Sequence, residues 1–226
     1  EIQSVPADSN LGLGCGNPLA FAEIQPGQTV LDLGSGAGFD CFLAAREVGE
    51  KGKVIGVDMT DEMITIANKN KAKAGANNIE FRQGFIEDLP IDSDSVDLVI
   101  SNCVINLSQE KGQVFNEAFR VLKPGGKIMV SDIVLLRKLP WIIRKSVTAY
   151  VTCVAGAAQK NEYLNFIQQA GFEKITIQHE QSVGEIIPEN DPITKKIMRL
   201  IPLPRKFLLN LPGRYAASIK VKAEKH

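Results

Sequence analysis

The sequence predicts an α/β fold whose core is a doubly wound, mostly parallel seven-stranded sheet with helices on both faces and with helical lid insertions. Apolar β-branched runs alternate with helical patterns from residue 29 onward, and a glycine-rich turn joins the first strand to the first helix. A length of 226 residues and a hydrophobic fraction of 44% suffice for one core. We therefore expect a single domain that spans residues 1–226.

Seven short segments rich in β-branched and apolar residues predict the strands of this sheet. In chain order, they are residues 29–33, 53–59, 79–83, 96–101, 126–134, 174–179 and 214–223. Apolar residues at helical spacing predict helices at residues 39–48, 61–75, 109–122 and 161–170. Helices between strands are the connections that parallel strands require.

Three segments lie outside this alternation. We expect residues 1–28 to form an N-terminal cap segment, and residues 135–158 and 181–213 to cover the site as lids. The last of these segments carries basic side chains interleaved with apolar ones, a composition that can contact a membrane surface. Three prolines in it, at residues 202, 204 and 212, interrupt any long amphipathic helix, so a solvated basic lid is favoured over membrane contact.

Charge and composition exclude several kinds of partner. Lys plus Arg and Asp plus Glu both total 26, so the formal net charge is zero and we expect no general attraction to nucleic acid. No apolar stretch reaches the roughly 18 residues that a membrane span needs, and we expect a cytoplasmic protein. The four cysteines form no C-x-x-C pair, so we expect no structural metal.

An acidic residue before a glycine-rich turn indicates a site for a nucleoside with a cationic group. Asp32 lies inside the first strand, and the turn after it contains Gly34, Ser35, Gly36 and Gly38. A dinucleotide fold would instead favour the full G-x-G-x-x-G pattern, which seats a pyrophosphate on the helix N-terminus.

A second acidic residue, Asp58, ends the predicted second strand about twenty residues after the glycines. At that spacing a carboxylate can accept hydrogen bonds from ribose hydroxyl groups. The two acids and the turn together predict a nucleoside bound across the carboxyl ends of the first two strands.

This arrangement resembles the first motifs of the class I methyltransferases. The resemblance implies a Rossmann-like fold and S-adenosyl-L-methionine as cofactor, with Asp32 near its methionine end and the glycine turn along it. It also implies that Met59, the Ile86 backbone and the Glu87 side chain lie near the adenine. Phe85 replaces the acid that usually follows the glycine of that loop.

The residues near the transferable methyl group favour a nucleophile that needs little deprotonation. The only histidines are His179 and His226, so a substrate hydroxyl has no obvious base. Cys103 lies just after the fourth strand, and Cys15 and Cys153 lie in segments that could fold over the same cleft. Three thiolates suit a soft trivalent metalloid better than tetrahedral zinc.

The cysteine-bearing segments resemble the arsenite methyltransferase family, and this resemblance extends from residue 12 to about residue 172. It implies that Cys15, Cys103 and Cys153 bind As(III), whose lone pair attacks the methyl group. Asn102 would shape the pocket for both cofactor and substrate. Cys41 is interpreted as a packing residue. Continued turnover would need an external thiol reductant, because methylation formally oxidises arsenic.

Two other functions stay open at this stage. One is a small-molecule methyltransferase that acts on a quinone or lipid-like substrate, with the segment 181–213 guiding an apolar molecule and the cysteines in the core. The other is a noncatalytic S-adenosylmethionine-binding module. The leading hypothesis predicts a small inorganic substrate as the partner.

Overall fold

The computed structural model describes residues 6, 9, 22–138, 156–182 and 215–226. Its strands are β1 (Thr29–Leu33), β2 (Lys53–Asp58), β3 (Ile79–Gln83), β4 (Val96–Asn102), β5 (Leu122–Leu135), β6 (Glu173–Ser182) and β7 (Ala216–Glu224). Its helices are α1 (Phe39–Val48), α2 (Asp61–Ala74), α3 (Lys111–Val121) and α4 (Lys160–Gln169), with a short 3-10 helix at Ile105–Leu107.

The strands form one sheet in the order β3-β2-β1-β4-β5-β7-β6. The first five of these strands are parallel, and β7 runs antiparallel to both of its neighbours, β5 and β6. The predicted doubly wound, mostly parallel seven-stranded sheet is therefore confirmed. The strand order reverses between β1 and β4, and the carboxyl ends of strands at such a switch point form a ligand-binding crevice.

Each face of the sheet is covered by its own hydrophobic core. Leu31 and Leu33 of β1 pack in the core that contains side chains of α3 and α4. Val30 packs in the other core, with side chains of α1. Because successive residues of a strand point to opposite faces, Asp32 lies on the α1 side, where it is a buried polar residue.

The junction between α3 and β5 differs from the prediction. The sequence predicts a helix that ends at residue 122 and a strand that begins at residue 126, but β5 begins at Leu122, directly after α3. Two backbone hydrogen bonds explain the difference. The N–H of Gly125 donates to the carbonyl of Lys225 at 2.8 Å, and the N–H of Lys225 donates to Gly126 at 2.9 Å.

Most of the predicted cap and lid segments lie outside the described residues. This applies to residues 1–5, 7–8 and 10–21 of the cap segment, and to residues 139–155 and 183–214. The single-domain interpretation of the whole chain therefore stays a prediction. Among the helices of the described part, none has the length and apolar character needed to cross a membrane.

Candidate functional site

The glycine-rich turn leaves the carboxyl end of β1 and enters α1 at the switch point of the sheet. Gly34, Gly36 and Gly38 have φ angles of 66°, 51° and 93°, in the left-handed region that favours glycine. A Cβ atom on Gly34 would lie 2.3 Å from Cγ2 of Val104, just beyond β4. The turn therefore brings bare backbone against the end of β4.

Asp58 fixes this turn from the end of β2. Its Oδ2 accepts a hydrogen bond from the N–H of Gly36 at 2.9 Å, and its Oδ1 accepts bonds from the N–H and hydroxyl of Thr60 at 2.9 and 2.8 Å. The carboxylate lies at the border of the crevice, the position from which it could also accept bonds from a ribose.

Asp32 is a buried carboxylate with a thiol as hydrogen-bond donor. It is 2% exposed, and Sγ of Cys41 donates to its Oδ2 at 3.2 Å. Burial raises the pKa of Asp32 well above its ordinary value, and the nearby charge of Asp40 raises it further. A positively charged ligand would offset both effects.

Besides Asp32 and Asp58, the site contains a third carboxylate, Asp40, which sequence reasoning missed. It lies in the first turn of α1, and its Oδ2 accepts a hydrogen bond from Nδ2 of Asn102 at 3.1 Å. Burial raises the pKa of Asp40, and the bond from Asn102 opposes that rise. The sequence shows an aspartate directly before Cys41, just after the glycine-rich turn, but sequence reasoning assigned no role to it.

Cys103 lies directly after β4 and has an unusual backbone. Its φ is 62°, its N–H donates to the carbonyl of Ser131 at 2.8 Å, and it is 4% exposed. Cys103 is disulfide-bonded and Cys41 is free. Cys15 and Cys153, the other predicted ligands, lie outside the described residues.

The predicted adenine region lies beyond β2 and β3. Met59 and Phe85 are 57% and 63% exposed, so both present apolar surface there. Nε2 of Gln83 donates to the carbonyl of Met59 at 3.4 Å. Ile86 and Glu87 are half-buried. These residues follow the adjacent parallel strands β2 and β3, so they form a surface at the carboxyl ends of these strands against which an adenine ring could pack.

The chain matches known proteins over most of this region. The family model that matches describes a methyltransferase domain and covers residues 24–171. The structure is similar to an arsenic(III) S-adenosylmethionine methyltransferase from Chlamydomonas reinhardtii, with a TM-score of 0.75 and 34% identity. That match covers 99% of this chain and 72% of the other. The chain belongs to the arsenite methyltransferase family.

Two curated arsenite methyltransferases are similar in sequence. The protein of Halobacterium salinarum is 50% identical over 191 residues, which are 84% of this chain and 49% of that protein. The human protein is 42% identical over 168 residues, which are 70% of this chain and 44% of that protein. The chain thus spans about half the length of the curated arsenite methyltransferases it matches.

In this arsenite methyltransferase family member, the structure brings most of the predicted site residues to one edge of the sheet. Asp32 and the glycine turn lie at the end of β1, Asp58 and Met59 at the end of β2, and Asn102 and Cys103 at the end of β4. Cys41 is buried, as a packing residue would be, and its thiol also contacts Asp32.

Several buried polar side chains lie near the carboxyl ends of β4 and β5, and sequence reasoning missed them as well. The hydroxyl of Tyr163 donates to Oδ2 of Asp132 at 2.7 Å, and both residues are fully buried. Among the described residues, Oδ1 of Asp132 and the hydroxyls of Ser101 and Ser131 have no hydrogen-bond partner. Burial raises the pKa of Asp132 to about 7, although the bond from Tyr163 and the charge of Lys111 lower it.

Proposed function

We propose that this chain transfers the methyl group of S-adenosylmethionine to trivalent arsenic held by cysteine thiolates. The position of Cys103 carries the proposal. Cys103 directly follows Asn102, whose amide is bonded to Asp40 beside the buried carboxylate of Asp32. Once reduced, the thiol of Cys103 would thus adjoin the part of the crevice that a cationic methyl donor would occupy.

The residues of the crevice fit S-adenosylmethionine. Asp32 would hold its methionine end, the turn of Gly34, Ser35, Gly36 and Gly38 would lie along it, and Asp58 would accept its ribose hydroxyls. The hydroxyl of Ser35 is buried and has no partner among the described residues, so a donor for a ligand is available. Met59, Ile86 and Glu87 would contact the adenine.

The chemistry requires alignment more than acid–base catalysis. S-Adenosylmethionine supplies a methyl group on a cationic sulfur, and the arsenic lone pair forms the new bond while the electron pair of the breaking S–C bond stays on sulfur. The cysteines at positions 15, 103 and 153 would hold the arsenic in line with that methyl group, and Asn102 would shape the space between them. Closure over the crevice would exclude water.

Thiol chemistry also sets the conditions for turnover. The disulfide at Cys103 must be reduced before this cysteine can bind arsenic. Each transfer formally oxidises As(III) to As(V), so a further cycle needs two electrons from two external thiol groups, which join in a disulfide and release two protons. Reduced thiols are maintained in the cytosol, so we propose a cytoplasmic enzyme with a small inorganic substrate.

The proposal is tested by As(III) binding to the reduced full-length chain. Replacing Cys103 or Cys153 by Ser should reduce arsenite affinity at least tenfold and leave S-adenosylmethionine affinity unchanged. Cys41→Ser is the matched control, because this thiol is buried next to Asp32 and should not bind arsenic. Methylated arsenic should form only when the cofactor and a thiol reductant are both present.

Unchanged arsenite affinity in both the Cys103 and the Cys153 variants would rule out the proposal. The quinone or lipid-like substrate is not favoured, because the long matches of the chain are to arsenite methyltransferases.

A further inference from the structure

The crevice holds two carboxylates within one short segment, and only one of them has been given a role above. Asp32 and Asp40 both lie largely out of solvent, and the charge of Asp40 contributes to the raised pKa of Asp32. Among the described residues, no cationic side chain contributes to the pKa shift of either carboxyl group. Two carboxylates that lie largely out of solvent, with no cationic neighbour among the described residues, are costly to ionise, which points to a positively charged ligand.

The two carboxylates are neighbours in the crevice but are held by different groups. Asp32 is the fourth residue of β1, and its carboxylate accepts a hydrogen bond from Cys41. Asp40 accepts a hydrogen bond from Asn102, the last residue of β4, and the next residue is Cys103. Of the two, Asp40 is therefore the one that is hydrogen-bonded to the strand end next to Cys103.

We infer that Asp40 recognises the positive charge at the reacting end of the cofactor, and that it thereby distinguishes the methyl donor from the demethylated product. This inference rests on the proposed cofactor. S-Adenosylmethionine carries an ammonium and a carboxylate at its methionine end and a sulfonium at its reacting end. Because the methyl group would have to face the arsenic held by Cys103, the sulfonium would lie near Asp40 and the ammonium nearer Asp32.

Methyl transfer changes one of these interactions and not the other. The sulfonium becomes a neutral thioether, so Asp40 loses its counter-ion when the reaction is complete. The ammonium is the same in donor and product, so Asp32 interacts with both. The site should therefore bind donor more tightly than product, which favours replacement of one by the other after each transfer.

Calorimetric titration of the reduced full-length chain, without arsenite, tests the inference. The ligands are S-adenosylmethionine, S-adenosylhomocysteine and sinefungin, in which a carbon that carries an amine replaces the methylated sulfur. The unmodified chain should bind the donor and sinefungin at least fivefold more tightly than the product. In Asp40→Asn, the affinities for S-adenosylmethionine and for sinefungin should each fall at least tenfold, and the affinity for S-adenosylhomocysteine should fall less than threefold.

Asp58→Asn is the matched control, since the ribose is common to all three ligands. It should weaken all of them by a similar factor and leave the preference for donor over product intact. Asn102→Leu removes the bond that orients Asp40 and should lower that preference by a smaller factor than Asp40→Asn.

Each other outcome contradicts a defined part of the argument. If Asp40→Asn weakened donor and product equally, Asp40 would act only on the shape of the site and the inference would be wrong. If Asp40→Asn did not fold, equal affinity of the unmodified chain for donor and product would still overturn it. If the unmodified chain bound none of the three ligands, the proposed cofactor itself would fall.

Discussion

At the scale of single residues, the protonation of Asp132 makes the stability of the protein depend on pH. Its pKa of about 7 means that the folded protein keeps a proton that the unfolded chain releases near pH 4. The folded state binds more protons between these values, so it becomes less stable relative to the unfolded chain as pH rises from about 4 to 7.

Asp132→Asn should remove this dependence, because the amide is neutral at every pH and its oxygen can still accept the bond from Tyr163. We expect the variant and the unmodified protein to be similarly stable at about pH 5, and the variant to be about 2 to 3 kcal/mol more stable at about pH 8. Urea unfolding at the two pH values measures this difference. A difference that stayed constant with pH would contradict the interpretation of Asp132.

Gly34 tests the close approach of the turn to the end of β4. In Gly34→Ala, the new methyl group would collide with Val104 and would also need a left-handed backbone. Gly36→Ala shares the backbone strain but meets nothing within 4 Å. We expect a loss of about 1 kcal/mol of unfolding free energy for Gly36→Ala and a loss about 1 to 3 kcal/mol larger for Gly34→Ala. Equal losses in denaturant unfolding would show that Val104 moves aside without cost.

Whether a contact in the site could be predicted depends on how far apart the two contacting residues are in the sequence. Asp58 could be predicted because its spacing from the glycines is fixed by the length of one helix and one strand. The contact of Asp40 with Asn102 joins residues 62 positions apart, and only the sheet order brings them together. Asp132 lies on β5 and its partner Tyr163 lies on α4, so the hydrogen bond between them also could not be predicted from the local sequence pattern.

At the scale of elements, one buried lysine ties the end of β7 to the junction of α3 and β5. Nζ of Lys225 donates to Oδ1 of Asp94 and to the carbonyls of Phe119 and Leu122, at 2.6 to 2.7 Å. It also lies 4.7 Å from the ring centroid of Phe119. Together with the backbone hydrogen bonds of Lys225, these side-chain contacts hold residues 122–126 beside the end of β7.

Lys225→Met should test this junction, since methionine keeps the apolar stem and removes all three hydrogen bonds. We expect a loss of about 2 to 4 kcal/mol in the free energy of unfolding, because two backbone carbonyls lose a charged donor. Lys174→Met is the control: its ammonium pairs with Glu224 at 2.7 Å on the surface, so we expect a much smaller loss than for Lys225→Met. Similar losses for the two variants in urea unfolding would contradict this role for Lys225.

At the scale of the whole molecule, the parallel part of the sheet could be predicted because β1, β2 and β4 are apolar runs that are each followed by a helix. The antiparallel placement of β7 between β5 and β6 could not, since its neighbours depend on a long connection rather than on local pattern. The cap and lid predictions concern residues outside the described part and stay predictions. The same holds for the convergence of Cys15 and Cys153 on one arsenic atom.

Cofactor binding should stabilise the whole protein if the crevice is preformed. At about one hundred times its dissociation constant, S-adenosylmethionine should add about 2.7 kcal/mol and raise the Tm by about 5 to 10 °C. Asp58→Asn should give a smaller rise at the same concentration, because its carboxylate also holds the turn. A thermal shift assay measures both. An equal rise in the two proteins would remove Asp58 from the cofactor site.

The order of the last three strands has a consequence for synthesis on the ribosome. In the described sheet β6 pairs only with β7, so it cannot join the structure until residues 183–215 have been translated and β7 has emerged. During that delay β6 is an unpaired strand, which is an aggregation hazard for a nascent chain. Its side chains are mostly exposed and polar, with acidic and basic groups along its length, so it can remain in water until its partner arrives.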